Sequence, residues 1–558
     1  MIDRSSRPFR YVVGALALAI TLILFGVPTV YVTVPSKPDP RERELLARRF
    51  LESRGFDLTG FDGRQLIIEH QNPTLYLQNV LGRQALADRM AKDPLPLFYW
   101  QIHLYKPGEI RQHWVRISLD GRIGAFTTKL GEEESGGRPT IERDRALTSR
   151  LLEQSVGSFS PGVFKEVETL ISVLPKRTDH RFVFARDIDG PAGAQERISV
   201  SVQGGRLGGY RNWIKVPESF EMKQTSEDTY SDALFWTSVF GDAFLVIAAV
   251  ATLLILLGPF SGNTRRNRDG EESRVVAPLR AALLVYGVLI VTVVNYSSVT
   301  LASDYSPDKP LCAFLVSHLL YLSLLSAVPA LATFLMLSAG QELDRTTEEP
   351  SRVESLRRWF SGRFFDPMVL SSMGTGLILA MALGGGELLF YFLGQRYGPV
   401  VLPVQPLYAN SMGTWLPFLY PLSIGIGAGI TEECTFRLFG VLLLRRLRLG
   451  RFLSLLLPAM IWAFAHSKEA VFPVWVRGAE LVIGGVFLGW SFLETDLLAV
   501  ITAHYIYDVF AFGWPIFASG NPLATIGTAA VAAVAVVPAM LGLVARCSRS
   551  LSGSTPMN

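Results

Sequence analysis

Residues 414–444 read TWLPFLYPLSIGIGAGITEECTFRLFGVLLL, an apolar run longer than the ~20 residues a bilayer-spanning helix needs. Its charged side chains are Glu432, Glu433 and Arg437. An ionised side chain at the bilayer centre costs about 3 kcal/mol by insertion scales, so such groups usually face one another or a wet cavity. Two later apolar segments carry matching marks: Trp462-x-x-x-His466 and His504-x-x-x-Asp508. The three patterns together predict a buried reaction centre among helices.

The rest of the composition agrees with a membrane protein. The chain has 558 residues, 49% hydrophobic, too many for one domain and too apolar for an ordinary soluble enzyme. A formal net charge of +4 is small for this length, and the arginines cluster beside apolar runs. That pattern fits topology signals and excludes a nucleic-acid partner. Cys312, Cys434 and Cys547 lie in or near apolar segments, with none between residues 35 and 232, so no disulfide framework or Cys-rich zinc site is expected there.

Working outward from residue 414 gives a mainly α fold, a polytopic membrane helix bundle of ten spans. An α+β extracytoplasmic domain, read as duplicated, is inserted after the first span. Residues 1–34 form an N-terminal anchor read as uncleaved, because its apolar stretch exceeds a signal h-region. Residues 233–366 hold three spans and a cytosolic amphipathic segment, residues 367–546 hold the domain with the three patterns, and 547–558 are a cytosolic tail. Arginine clusters at 265–268, 345–358, 445–451 and 546–549 fall in alternate gaps. This places both termini in the cytosol and residues 35–232 outside. The glycines Gly425, Gly427 and Gly429, like Gly384 to Gly386, favour close helix packing over a helix break.

Residues 35–232 are the long polar region. They read as two units of helix, helix and hairpin. The first has helical patterns near 41–54 and 75–91, then strands near 98–105, 113–119 and 123–129. The second has helical patterns near 145–155 and 163–174, then strands near 181–186, 197–203 and 206–213, with a turn at Gly204-Gly205. In pattern this resembles PepSY-like modules.

Helix geometry tests whether the three motifs can meet. At ~1.5 Å per residue, Glu432 lies roughly 20 Å from Arg445, His466 roughly 22 Å from Arg451, and His504 and Asp508 roughly 12 and 18 Å from Asp496. All these depths fall within a hydrocarbon core ~30 Å thick. Glu433 and Arg437 form an i,i+4 pair that can neutralise itself, leaving Glu432, pointing about 100° away, free for chemistry. A free carboxylate, two imidazoles and a second acid suit activation of water and stabilisation of an oxyanion. Glu432, His466, His504 and Asp508 are also a donor set for Zn2+. His318, alone on its segment, reads as a packing residue, and so does Cys434.

In this order, Glu-Glu-x-x-x-Arg, aromatic-x-x-x-His and His-x-x-x-Asp over residues 367–545 resemble the CAAX protease and bacteriocin-processing (CPBP, or Abi) family, relatives of the prenyl-protein endopeptidases. The resemblance implies an intramembrane endopeptidase that is glutamate-dependent or a metalloprotease. Glu432 and His466 would activate water, His504 and Asp508 would hold the oxyanion, and Glu433 and Arg437 would complete the first motif. Its substrate would be a membrane-embedded or lipidated peptide or protein, with the outer domain serving a ligand or protein partner. Trp462 stands where the family usually has Phe, a change expected to affect packing. Asp508 stands where it often has Asn, which raises the expectation of a metal or of a proton held by burial. Other classes open to this sequence are a non-proteolytic scaffold or immunity protein of the same fold, and a proton- or ion-coupled transporter.

Overall fold

A computed structural model describes residues 33–34, 39–92, 95–155, 164–188, 193–257, 271–346, 350–406, 410–519 and 521–551. The expected first span falls almost wholly outside these, as do the arginines at 265–268.

The polar region folds around one continuous antiparallel sheet. Its strands are β1 (Asp62–Glu69), β2 (Phe98–Tyr105), β3 (Gln112–Ser118), β4 (Ile123–Lys129), β5 (Lys165–Val173), β6 (Thr178–Asp187), β7 (Gln195–Gln203) and β8 (Arg206–Lys215). Spatial order is β1-β2-β3-β4-β8-β7-β6-β5, so two four-stranded meanders meet edge to edge. Their junction is short, pairing Phe126 with Tyr210 and Thr127 with Gly209. Trp100, Ile102, Val115, Ile117, Phe126, Ile198 and Val200 form the core on the helix-covered face. Against it lies the helix Pro40–Glu52, capped by Asp39, whose carboxylate accepts from the Arg41 and Glu42 amides. The helix Ile141–Ser155 packs on β6 and β7.

Three expectations for this region need correction. Within the stretch near 163–174 expected to be helical, Lys165–Val173 form the strand β5. Val167, Thr169, Ile171 and Val173 alternate along it, and β-branched residues favour the pleated backbone. The strand β1, unexpected from the sequence, pairs along its length with β2. The helix expected near 75–91 is two helices, Gln71–Leu81 and Arg83–Lys92, broken at Gly82, whose φ of 87° suits glycine. The turn between β7 and β8 is as read, with positive φ at both Gly204 and Gly205.

Beyond the sheet the chain is helical. In order come α1 (Glu218–Leu257), α2 (Glu271–Ser303), α3 (Leu311–Arg345), the short α4 (Glu354–Phe360), α5 (Pro367–Tyr397) and α6 (Leu419–Glu432). A π-helical turn, Glu433–Val441, joins α6 to α7 (Leu442–Arg446). Then follow α8 (Gly450–Phe464), α9 (Trp475–Glu494), α10 (Leu497–Ala518) and α11 (Pro522–Leu551). Among the described residues, seven of these helices are long and apolar enough to cross a membrane: α1, α2, α3, α5, α9, α10 and α11. The α6 to α7 run is split by its π turn, and α8 is a shorter apolar helix. A multi-pass membrane protein follows.

The glycines of α6 work by contact, whereas the close packing expected at Gly384 and Gly386 is not found, since a Cβ at either would meet nothing within 4 Å. A Cβ on Gly425 would lie 2.8 Å from the Tyr505 ring, so α6 lies directly on α10. Helix α5 runs unbroken through Gly384 to Gly386. The sheet domain is tied to the bundle through the segment before α6. The Gln78 amide donates to the Leu402 carbonyl at 2.9 Å and accepts from the Val404 amide at 2.9 Å.

Candidate functional site

Glu432 ends α6, and Glu433 begins a π-helical turn whose nine residues are all buried. Such widened turns recur at functional sites because they re-aim side chains that a regular helix would send elsewhere. Here both carboxylates flank one imidazole of α10. Glu433 Oε1 lies 2.7 Å from His504 Nδ1, and Glu432 Oε2 lies 3.8 Å from His504 Nε2. Glu432 thus reaches the ring from its Nε2 side and Glu433 from its Nδ1 side.

Glu433 serves two partners. Arg437, four residues on, brings Nη1 to 3.1 Å from Glu433 Oε1, and both side chains are buried. The guanidinium also stacks over the Trp462 ring, 4.3 Å from its centroid, so charge and π-face together compensate a cation withdrawn from water. A carboxylate oxygen facing His504 Nδ1 accepts, so that nitrogen carries the proton. Nε2 is thereby aimed at Glu432 and at Asp508, whose Oδ2 lies 3.5 Å away.

Helix α8 supplies the second motif. The Trp462 indole N–H donates to Glu432 Oε2. Its ring stands between the two histidines, 5.9 Å from the His504 ring and 5.5 Å from the His466 ring. His466 Nδ1 lies 2.9 Å from the Trp462 carbonyl. A carbonyl only accepts, so Nδ1 carries the proton and Nε2 of the neutral ring is left as a base. The structure thus gathers Glu432, Glu433, Arg437, His504 and Asp508 around one imidazole, and sets His466 beyond Trp462 at the partly exposed C-terminal end of α8.

As arranged, the four expected metal donors do not make a zinc site. Around His504 Nε2, which Glu433 leaves available by holding Nδ1, Glu432 and Asp508 stand 3.8 and 3.5 Å away, and His466 lies on the far side of the indole. Among the described residues no group of three or more His, Cys, Asp or Glu side chains converges closely enough to hold a metal ion.

Several contributors act in ways the sequence did not resolve. Trp462 acts as a donor as well as packing, and the signal was its N–H, which needs a partner when buried. Asp242 of α1 interacts electrostatically with Glu432, and its Oδ1 is buried without a hydrogen bond. A further ionic group, centred on Arg477 of α9, joins Glu387, Glu469 and Glu480. Its signal was charged residues inside apolar helices. Cys434 is fully buried and packs in the core, and His318 stacks on Phe314 with ring centroids 5.6 Å apart.

Comparison with known proteins agrees with the family resemblance. Residues 414–510 match the family described as type II CAAX prenyl endopeptidase Rce1-like. Over 503 residues the chain is 21% identical to the sporulation-killing factor biosynthesis protein SkfC of Bacillus subtilis (strain 168), covering 88% of this chain and 91% of that protein. No solved structure matches.

Proposed function

We propose that this chain, whose residues 414–510 match the CAAX prenyl endopeptidase family, is an intramembrane endopeptidase that cleaves a membrane-embedded or lipidated substrate. The observation that carries this reading is the pair Glu432 and Glu433 flanking His504, with the Trp462 N–H held on Glu432.

In this reading Glu432 takes a proton from water as its oxygen attacks the scissile carbonyl, and His466 Nε2, beyond Trp462, is the base on the leaving-group side. The resulting oxyanion faces His504 Nε2, which in the doubly protonated ring donates a hydrogen bond to it. Glu433 holds the opposite nitrogen and so fixes the ring, while Arg437 balances Glu433. Collapse of the tetrahedral intermediate breaks the C–N bond, and the proton taken from water goes to the leaving amine. The water, the two acids and the two imidazoles suffice, and no step passes through a metal.

The arginine clusters support cytosolic termini and an extracytoplasmic sheet domain. Two meanders, each with its own helix, support an internal duplication. The sheet domain, seated on the segment that leads into α6, is placed to present substrate or to receive a partner.

The test is purified protein in lipid nanodiscs, incubated with a library of membrane peptides and followed by mass spectrometry. Wild type is expected to cleave, while Glu432→Gln and His504→Gln are not. Cleavage that survives both substitutions would sink this chemistry.

A further inference from the structure

We propose that Arg477 is a positioning residue, which ties the turn carrying His466 to the helix carrying Asp508. This rests on the endopeptidase reading for its catalytic consequence, but not for its structural one.

The guanidinium sits at the start of α9, largely buried at 12% side-chain exposure. Its Nε lies 2.8 Å from Glu469 Oε2. Its Nη1 lies 2.5 Å from Glu480 Oε2, 3.5 Å from Glu387 Oε1 and 3.3 Å from the Tyr391 hydroxyl. The contacts reach three pieces of the site's surroundings: the turn after α8, helix α5 and α9 itself. Glu469 is in the turn that follows α8, and its amide donates to the His466 carbonyl at 3.1 Å. Glu387 and Tyr391 are on α5. Glu387 in turn accepts from the Tyr507 hydroxyl at 2.7 Å, and Tyr507 is the neighbour of Asp508 on α10. One planar fork of donors therefore spans the path His466–Glu469–Arg477–Glu387–Tyr507–Asp508.

The electrostatics require a guanidinium here. Three carboxylates converge on one cation, and without it they would repel across a site poor in water. A lysine ammonium keeps the charge but is a single point on a flexible stem, unable to reach both Glu469 and the Glu387–Glu480 side with fixed geometry. Glu469, 44% exposed, is the one arm that can be cut without burying an unpaired charge.

The experiment compares wild type with Glu469→Gln, Arg477→Lys and Arg477→Gln in nanodiscs, by two readouts. The first needs no peptidase activity: amide hydrogen exchange of residues 463–474, and the rate of carbethoxylation of His466 by diethyl pyrocarbonate, read by mass spectrometry. Both are expected to rise in all three variants, least in Glu469→Gln, while exchange in the sheet domain stays unchanged. The second is peptide cleavage. There kcat is expected to fall on the order of tenfold or more with KM little changed, because misplacing a catalytic group costs rate rather than binding. Arg477→Lys is expected to recover only part of it. Unchanged exchange and carbethoxylation in Glu469→Gln and Arg477→Lys would overturn the positioning role, as would a defect confined to KM. Wild type that cleaves nothing would overturn the endopeptidase reading alone, since the first readout still decides the role of Arg477.

Discussion

The indole N–H of Trp462 is bonded to the carboxylate of Glu432, and the same ring carries the Arg437 guanidinium on its face. A residue that sequence comparison treats as an aromatic spacer is therefore a donor to the acid expected to activate water. It orients one Glu432 oxygen and leaves the other free.

Trp462→Phe separates the donor from the ring. The aromatic face under Arg437 persists while the N–H is lost, so the fold should hold. A hydrogen bond to a charged acceptor is worth about 1.5–3 kcal/mol, and kcat/KM on a cleaved membrane peptide is expected to fall roughly tenfold or more. An unchanged kcat/KM at equal thermal stability would assign the indole a packing role only.

Glu432 and Glu433, adjacent in sequence, are expected to fail differently. Glu433→Gln strips the buried Arg437 of its counter-charge and leaves His504 Nδ1 a neutral amide oxygen in place of a carboxylate. Breaking one partner of a buried ion pair costs about 3–5 kcal/mol, so thermal unfolding in detergent should shift strongly downward. Glu432→Gln should unfold near the wild-type temperature yet lose turnover. Equal unfolding temperatures for the two variants would contradict the assignment of Glu433 to structure and Glu432 to chemistry.

The separation of His466 from His504 by Trp462 bears on metal. With donors spread across an indole, cleavage should persist after dialysis against a strong zinc chelator. Loss of cleavage on chelation, restored by added Zn2+, would show that the site rearranges to gather ligands it does not gather in this conformation.

Much of this site was legible because its information is local. Glu433 and Arg437, or His504 and Asp508, sit four apart on helices, and apolar runs predict depth. What was not legible came from two sources. The π turn at Glu433–Val441 departs from the 3.6-residue period by which this segment was read, and nothing in its composition announces a widened turn. The Arg477 network joins residues from 387 to 507, a non-local assembly that a single pass along the chain leaves as isolated charges. In the sheet domain the hairpins were legible from alternation and Gly204-Gly205. Strand β5 was not, since Val163, Val167, Leu170, Ile171 and Leu174 also fit a helical period.

The sheet domain should lose stability at acid pH. Burial pushes His70 and His113 down to about 4 and lowers His103, with Arg116 and Arg211 acting on His70 and with Arg111 and His103 acting on His113. The folded state thus refuses protons that the unfolded chain accepts below about 6.5, and stability is lost as pH falls from there toward 4. Burial raises Glu69 to about 7, so the folded state keeps a proton that the unfolded chain gives up, and stability is lost as pH rises from about 4.5 to 7. Three histidines outweigh one glutamate across the shared window. Stability is therefore expected to rise from acid pH and level off above about pH 7, with the loss confined to the acid side, in hydrogen exchange of β2 and β3 within the full chain. His113→Phe should flatten that acid side; an acid side as steep as wild type would show that His113 is not among its causes.

Gly425 tests the packing on which the whole site depends. A Cβ there would meet the Tyr505 ring at 2.8 Å and Val509 at 3.1 Å. Tyr505 cannot swing aside freely, because its hydroxyl donates to the Val531 carbonyl of α11 at 2.7 Å. Gly425→Ala must therefore push α6 away from α10, and these are the helices that carry Glu432 and Glu433 on one side and His504 on the other. Overpacking of this kind costs about 1–3 kcal/mol, enough to lower the unfolding temperature while leaving a folded population. The Glu433–His504 hydrogen bond at 2.7 Å has no slack to absorb such a shift, so turnover should fall further than stability does. A comparison of Gly425→Ala with Gly384→Ala, where a Cβ meets nothing within 4 Å, isolates the contact. If both alanines are equally tolerated in cleavage and unfolding, the close approach of α6 to α10 is not what brings the acids to the imidazole.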